Sequence, residues 1–79
     1  MKIFCERFKE LRKTKNLSQK QFAEILKTTN SSICDWECGR SQPDFETLVC
    51  IAEFFEVSAD YLLGLEDESG AKINYNVKK

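Results

Sequence analysis

Four cysteines, at positions 5, 34, 38 and 50, are the residues with the most reactive side chains in this 79-residue sequence, which contains no histidine. Thiols can form disulfides, ligate zinc or act as nucleophiles. No Cys-x-x-Cys pair occurs, and without histidine the usual zinc ligand sets cannot be completed. The absence of histidine also removes the commonest general acid–base and the usual nucleophile–base triads. Only three glycines are present, and none builds a phosphate-cradling loop. Enzymatic catalysis, a metal site and a bound cofactor are therefore not expected. The cysteines read as small hydrophobes with one or two partly exposed thiols, kept reduced in a cytoplasm.

A second group of residues has a different chemistry. Thr28, Thr29, Asn30, Ser31 and Ser32 run consecutively, and short polar side chains at the start of a helix can approach the base edges of DNA without filling the groove. The charge distribution bears on that possibility. The chain carries 12 basic and 13 acidic residues, a net charge of −1. Residues 1–27 hold eight Lys/Arg against three acids, a net +5, while the remainder holds four against ten, a net −6. One half can face a polyanion while the other keeps the whole near neutral.

The elements that would position these residues are helices. In the first segment, residues 3–15, Phe4, Phe8 and Leu11 form one apolar stripe. The second begins at Ser18, where Gln21 three residues on makes a capping box, and it turns Phe22, Ala23 and Leu26 to one side. Thr29 caps the third, in which Ile33 with Trp36 or Glu37 faces inward, and Gly39 marks its end. Asp44 caps the fourth, residues 45–55, with Leu48, Ile51, Ala52 and Phe55 as its buried face. Ser58 caps a short fifth helix, residues 59–63, that stops at Gly64. Phe45 is expected in the core with Phe8, Phe22, Trp36 and Phe55. Phe54, Leu65, Ile73, Tyr75 and Val77 have no evident core slot. The expected fold is all-α: a compact five-helix domain over residues 1–65, with a tail over 66–79 that either stays disordered or joins a dimer contact. No apolar run reaches the ~18 residues of a membrane span, and the charged N-terminus does not read as a secretion signal. Nothing beyond Gly64 is long enough for a ligand-binding domain, and no small-molecule ligand is evident.

The second and third helices, joined by a connection of three residues, have the proportions of a helix-turn-helix. The stretch from Phe8 to Gly64, with LRKTKNLSQKQFA, SICDWECGRSQP and LVCIAEFFEVSADYLLG in order, resembles the Cro and phage-repressor helix-turn-helix family, also called the xenobiotic-response-element family. The resemblance implies a lambda-repressor-like five-helix domain that binds double-stranded operator DNA as a homodimer and regulates transcription, with repression the expected sense. It further implies that Asn30 and Ser31 read base edges. Asp35 follows one turn on and either accepts from cytosine N4 or repels phosphate at wrong sites, while Cys34 touches a thymine methyl or is silent. Gln19, Thr28, Thr29 and Arg40 are implied in phosphate contact. Lys27 stands at a turn position the family often gives to glycine, where a left-handed backbone costs lysine more and a phosphate contact is the return. Cys38 replaces a family asparagine, which puts that phosphate contact in doubt. Arg12 and Glu37 are implied as a structural ion pair. The competing expectation is a helix-turn-helix protein-interaction module such as an antitoxin, which the acidic C-terminal portion keeps open.

Overall fold

A computed structural model of the chain describes residues 2–67, 69 and 71. Five helices follow one another: α1 (Lys2–Thr14), α2 (Gln19–Leu26), α3 (Asn30–Cys38), α4 (Phe45–Phe55) and α5 (Ala59–Leu63). Among the described residues there is no strand element, and no helix is long and apolar enough to cross a membrane. The all-α expectation and all five segments hold.

The helix starts follow from local chemistry. Ser18 accepts the Gln21 N–H at 3.0 Å while the Gln21 side chain accepts the Ser18 N–H at 2.8 Å, so the capping box is complete. Thr29, Asp44 and Ser58 each accept the N–H three residues on, which satisfies donors that a helix start leaves without intrahelical partners. At Asp44, hydrogen bonding from Thr47 holds the carboxyl below its ordinary pKa. Its capping contribution is therefore present above the unfolded-state pKa and lost as pH falls through the depressed native value.

The stripes meet in one core of Phe4, Phe8, Phe22, Ala23, Ile33, Trp36, Ile51, Ala52, Phe55 and Leu62, with Leu11, Leu17, Leu26 and Leu48 packed around it. Phe22 sits at the centre of an aromatic cluster, its ring centroid 5.3 Å from those of Phe8 and Phe55 and 5.6 Å from that of Phe54. Trp36 meets Phe8 edge-on at 6.0 Å, the packing role expected of it.

Two aromatic expectations fail. Phe45 is not in the core but 87% exposed. It has the phase of the buried stripe, yet it opens α4, and side chains tilt toward the helix N-terminus, which carries its ring off the end of the body. Phe54 does have a core slot: it is half-buried, its ring lies 5.1 Å from that of Phe55, and the Lys15 ammonium stands over it at 5.6 Å. Leu65 remains 40% exposed. Ile73, Tyr75 and Val77, and so most of the expected tail, lie outside the described residues.

α3 packs against both α2 and α1, while α5 packs against α1 and α4. Arg7 reinforces the second junction: its guanidinium lies 4.1 Å from the Tyr61 ring centroid and donates to the carbonyls of Tyr61 and of Glu66, the latter at 2.7 Å.

Candidate nucleic-acid interface

The connection between α2 and α3 is Lys27-Thr28-Thr29. Lys27 adopts φ 57°, ψ 46°, the left-handed conformation that the turn could have avoided and does not. It ends α2, its N–H reaching back to Ala23 and Glu24. The left-handed backbone costs an L-residue about 1–2 kcal/mol that glycine does not bear. Lys27→Gly is accordingly expected to raise the urea midpoint by an amount worth about 1 kcal/mol, and an unchanged or lower midpoint would contradict this. The Thr28 N–H donates to Ala23 O at 2.9 Å, which removes it from the set expected to bind phosphate and leaves the hydroxyl. The Thr29 hydroxyl accepts the Ser32 N–H at 3.1 Å and donates to Ser32 Oγ at 3.0 Å, so Thr29 serves first as the cap of α3.

α3 divides cleanly between two sides. Ile33 and Trp36 are buried, and the Glu37 side chain is 3% exposed. Asn30 and Ser31 are exposed in the first turn, Cys34 and Asp35 are half-buried one turn on, and Cys38 is exposed at the end. The residues expected to read bases thus share the outer arc of one helix.

The inner side is fastened by ionic bonds. Arg12 Nε donates to Glu37 Oε2 at 2.5 Å, Arg12 Nη2 to Glu37 Oε1 at 3.1 Å and Arg12 Nη1 to Leu17 O at 2.6 Å. This bidentate pair is largely buried, with the Arg12 side chain 11% exposed, and it ties α1 to α3. Gln19 joins it through Nε2, which donates to Glu37 Oε1 at 3.1 Å. The Gln19 amide therefore bridges α2 to α3, a role the sequence reading missed. Only its remaining N–H can point to a phosphate.

At the far end of α3, Arg40 Nη1 lies 3.6 Å from Asp35 Oδ1, both partly open to solvent. The guanidinium also meets Cys38, whose hydrogen bond, ahead of the Asp35 charge, holds the arginine pKa above its ordinary value. The cation expected on phosphate and the carboxylate expected on a base edge thus face one another. Cys34 and Cys38 bring their sulfurs to 3.9 Å, and that hydrogen bond raises the Cys34 pKa. None of the four cysteines is in a disulfide. Among the described residues no three or more Cys, Asp or Glu gather to hold a metal.

The positive half of the chain is also partly used up. Of its eight cations, Arg7 and Arg12 are committed to contacts within the fold, and the exposed ones are Lys2, Lys9, Lys13, Lys15, Lys20 and Lys27. Lys2 and Lys9 line a groove between α1 and the end of α3 with Cys5, Glu37, Cys38 and Gly39.

Residues 5–68 match the family described as a helix-turn-helix domain. The chain is 44% identical over 64 residues to the HTH-type transcriptional activator BcrR of Enterococcus faecalis, covering 81% of this chain and 31% of that protein. It is 35% identical over 71 residues to the uncharacterized HTH-type transcriptional regulator YobD of Bacillus subtilis, covering 90% of this chain and 63% of that one. It thus spans less than two thirds of the length of either relative. Among solved structures it is similar to a transcriptional regulator from Listeria innocua (TM-score 0.75, 30% identity, 94% of this chain and 64% of that one). It is also similar to the P22 c2 repressor, solved in complex with a synthetic operator (TM-score 0.70, 27% identity, 75% of this chain and 89% of that one).

Proposed function

The chain belongs to the helix-turn-helix domain family, and from that premise we propose that it binds double-stranded DNA sequence-specifically and regulates transcription. The observation that carries this reading is α3 itself. Its inner side is locked by Trp36 and the Arg12–Glu37 pair, while its first turn presents Asn30 and Ser31 outward. A rigid helix with small polar residues at its leading end suits the major groove. The operator complex of the similar P22 c2 repressor supports it.

In this reading Asn30 bonds an adenine edge, Ser31 and Cys34 make tolerant contacts, and Asp35 accepts from cytosine N4. Gln19, Lys27, Thr28, Thr29 and Arg40 hold phosphates. Arg40 swings from Asp35 to the backbone on binding, which frees the carboxylate for its base. One α3 offers too small a footprint for strong selectivity, so the protein acts as a homodimer on two half-sites. The dimer joins through the α4–α5 side, where Val49 and Leu65 stand outward. It acts in the cytoplasm and represses by occupying a promoter.

Asn30→Ala is expected to cost ~1–3 kcal/mol of binding and to relax preference at one base position. Arg40→Ala should weaken all duplexes about equally, and a changed base preference in this variant would contradict the phosphate assignment. Selection of bound duplexes from a random DNA pool tests the reading as a whole: it predicts paired, oppositely oriented half-sites. A pool that stays random would reject sequence-specific binding and favour a protein-interaction module, a role for which the exposed Phe45 ring speaks.

A further inference from the structure

We infer that Cys34 and Cys38 form a two-sulfur site for copper(I) on the outer arc of α3. The two thiols are one helical turn apart, both reach the surface, and their sulfurs already lie 3.9 Å from each other.

That separation discriminates between the fates open to a thiol pair. A disulfide requires sulfurs at about 2.05 Å and Cβ atoms at about 3.8 Å, whereas Cβ atoms four residues apart on a helix stand about 5–6 Å apart. Closing that bond would distort α3. A shared ion leaves the backbone of α3 in place. Copper(I) held by two thiolates prefers a near-linear arrangement, so with metal–thiolate bonds of about 2.3 Å the sulfurs, 3.9 Å apart, must open by roughly 0.5–0.7 Å, which rotation of two surface cysteine side chains supplies.

The donor set then selects the ion. Thiolates are soft ligands and favour copper(I), which is satisfied by two or three of them. Structural zinc wants four ligands, and no third Cys, Asp or Glu gathers here among the described residues. Binding replaces the two thiol protons: one copper(I) and two thiols give a bis-thiolate complex and two protons released to solvent, with no change in oxidation state. The complex carries one net negative charge. The Arg40 guanidinium, which lies 3.6 Å from Asp35, a residue between the two cysteines in sequence, is near enough to offset that charge.

The location gives the site a consequence that rests on the DNA-binding reading above. Copper bridging Cys34 and Cys38 adds bulk one turn beyond Asn30 and holds Arg40 away from phosphate. Loading and operator binding therefore exclude one another.

The test is an anaerobic titration of the full chain with copper(I) against a competing chelator, followed by the thiolate-to-copper absorption in the ultraviolet. One equivalent is expected. Outer-shell partners of a metal are already worth about 10–100-fold in affinity, so Cys34→Ser and Cys38→Ser should each weaken binding by about 100-fold or more. Cys5→Ser and Cys50→Ser should leave it unchanged. Equal affinity in all four variants, or loss confined to the Cys5 or Cys50 variant, would overturn the site. All four should keep the helical circular dichroism of the parent chain, because the substituted thiols carry none of the core.

With a selected duplex, copper should release DNA from the parent chain but not from Cys38→Ser. Undiminished DNA binding by the loaded parent would overturn the coupling. Failure of the copper-free chain to bind any duplex would instead reject the DNA-binding reading, and the titration would still decide the site.

Discussion

Arg12→Ala is expected to remove ~3–5 kcal/mol of folding stability, the cost of leaving a buried charge without its partner. Glu37 is the charge left behind. Its side chain is 3% exposed and accepts from two of the three Arg12 guanidinium nitrogens, and the single N–H from Gln19 at 3.1 Å cannot replace a guanidinium. Arg12 also satisfies Leu17 O in the connection between α1 and α2, so the truncation loosens that turn too. A domain this size holds roughly 4–12 kcal/mol in total, and most of that would go. Urea unfolding followed by circular dichroism measures it. The expected result is a large fall in midpoint at an unchanged slope, with the isosteric apolar double variant Arg12→Met, Glu37→Leu recovering most of it. A loss below about 1 kcal/mol would place the pair among ordinary surface bridges. Operator binding by Arg12→Ala should fall with the folded fraction and return on cooling.

Phe22→Ala is expected to cost a comparable ~3–5 kcal/mol, for a different reason. Phe22 is fully buried, and its ring touches aromatic side chains from α1 and α4. Removing it leaves a cavity at the point where α2 meets the rest of the body, and the large, rigid rings around it close such a cavity poorly. Phe54→Ala, at the half-buried edge of the same cluster, should cost distinctly less. Equal costs for the two, measured by urea midpoint, would contradict the placement of Phe22 at the centre. Hydrogen exchange in Phe22→Ala should accelerate first in α2, because its other buried side chain is the small Ala23.

These two residues mark what could be read before the fold was known. The caps at Ser18, Thr29, Asp44 and Ser58 were legible because a cap is a local event, decided by one side chain and the N–H three residues away. The stripe through Phe22, Ala23 and Leu26 was legible because the helical period sets it. Phe45 and Phe54 were misjudged because burial at the end or rim of a helix depends on what stands opposite, which no period encodes. Long polar side chains were the least legible. Gln19 to Glu37, Arg7 to Tyr61 and Arg40 to Asp35 join turns far apart or choose among several partners, and charge counting assigned Arg7 to an outer surface that it does not serve. The Arg12–Glu37 pair was reached through family resemblance alone. Ser31 and Asp35 follow from the inner residues: once Ile33, Trp36 and Glu37 face the body, these two must lie on the other arc, whereas Asn30 shares the phase of Glu37 and is exposed because it opens the helix.

The central claim, that α3 and the helix starts beside it engage double-stranded DNA, is tested most directly by the salt dependence of binding to a selected duplex. Each phosphate neutralised contributes about −0.9 to the slope of log affinity against log salt. With Arg40, Lys27 and their dimer mates engaged, the slope should lie near −4 or steeper, and Arg40→Ala should make it shallower by about one for each subunit. A flat response, or no binding to any duplex at physiological salt, would contradict the claim.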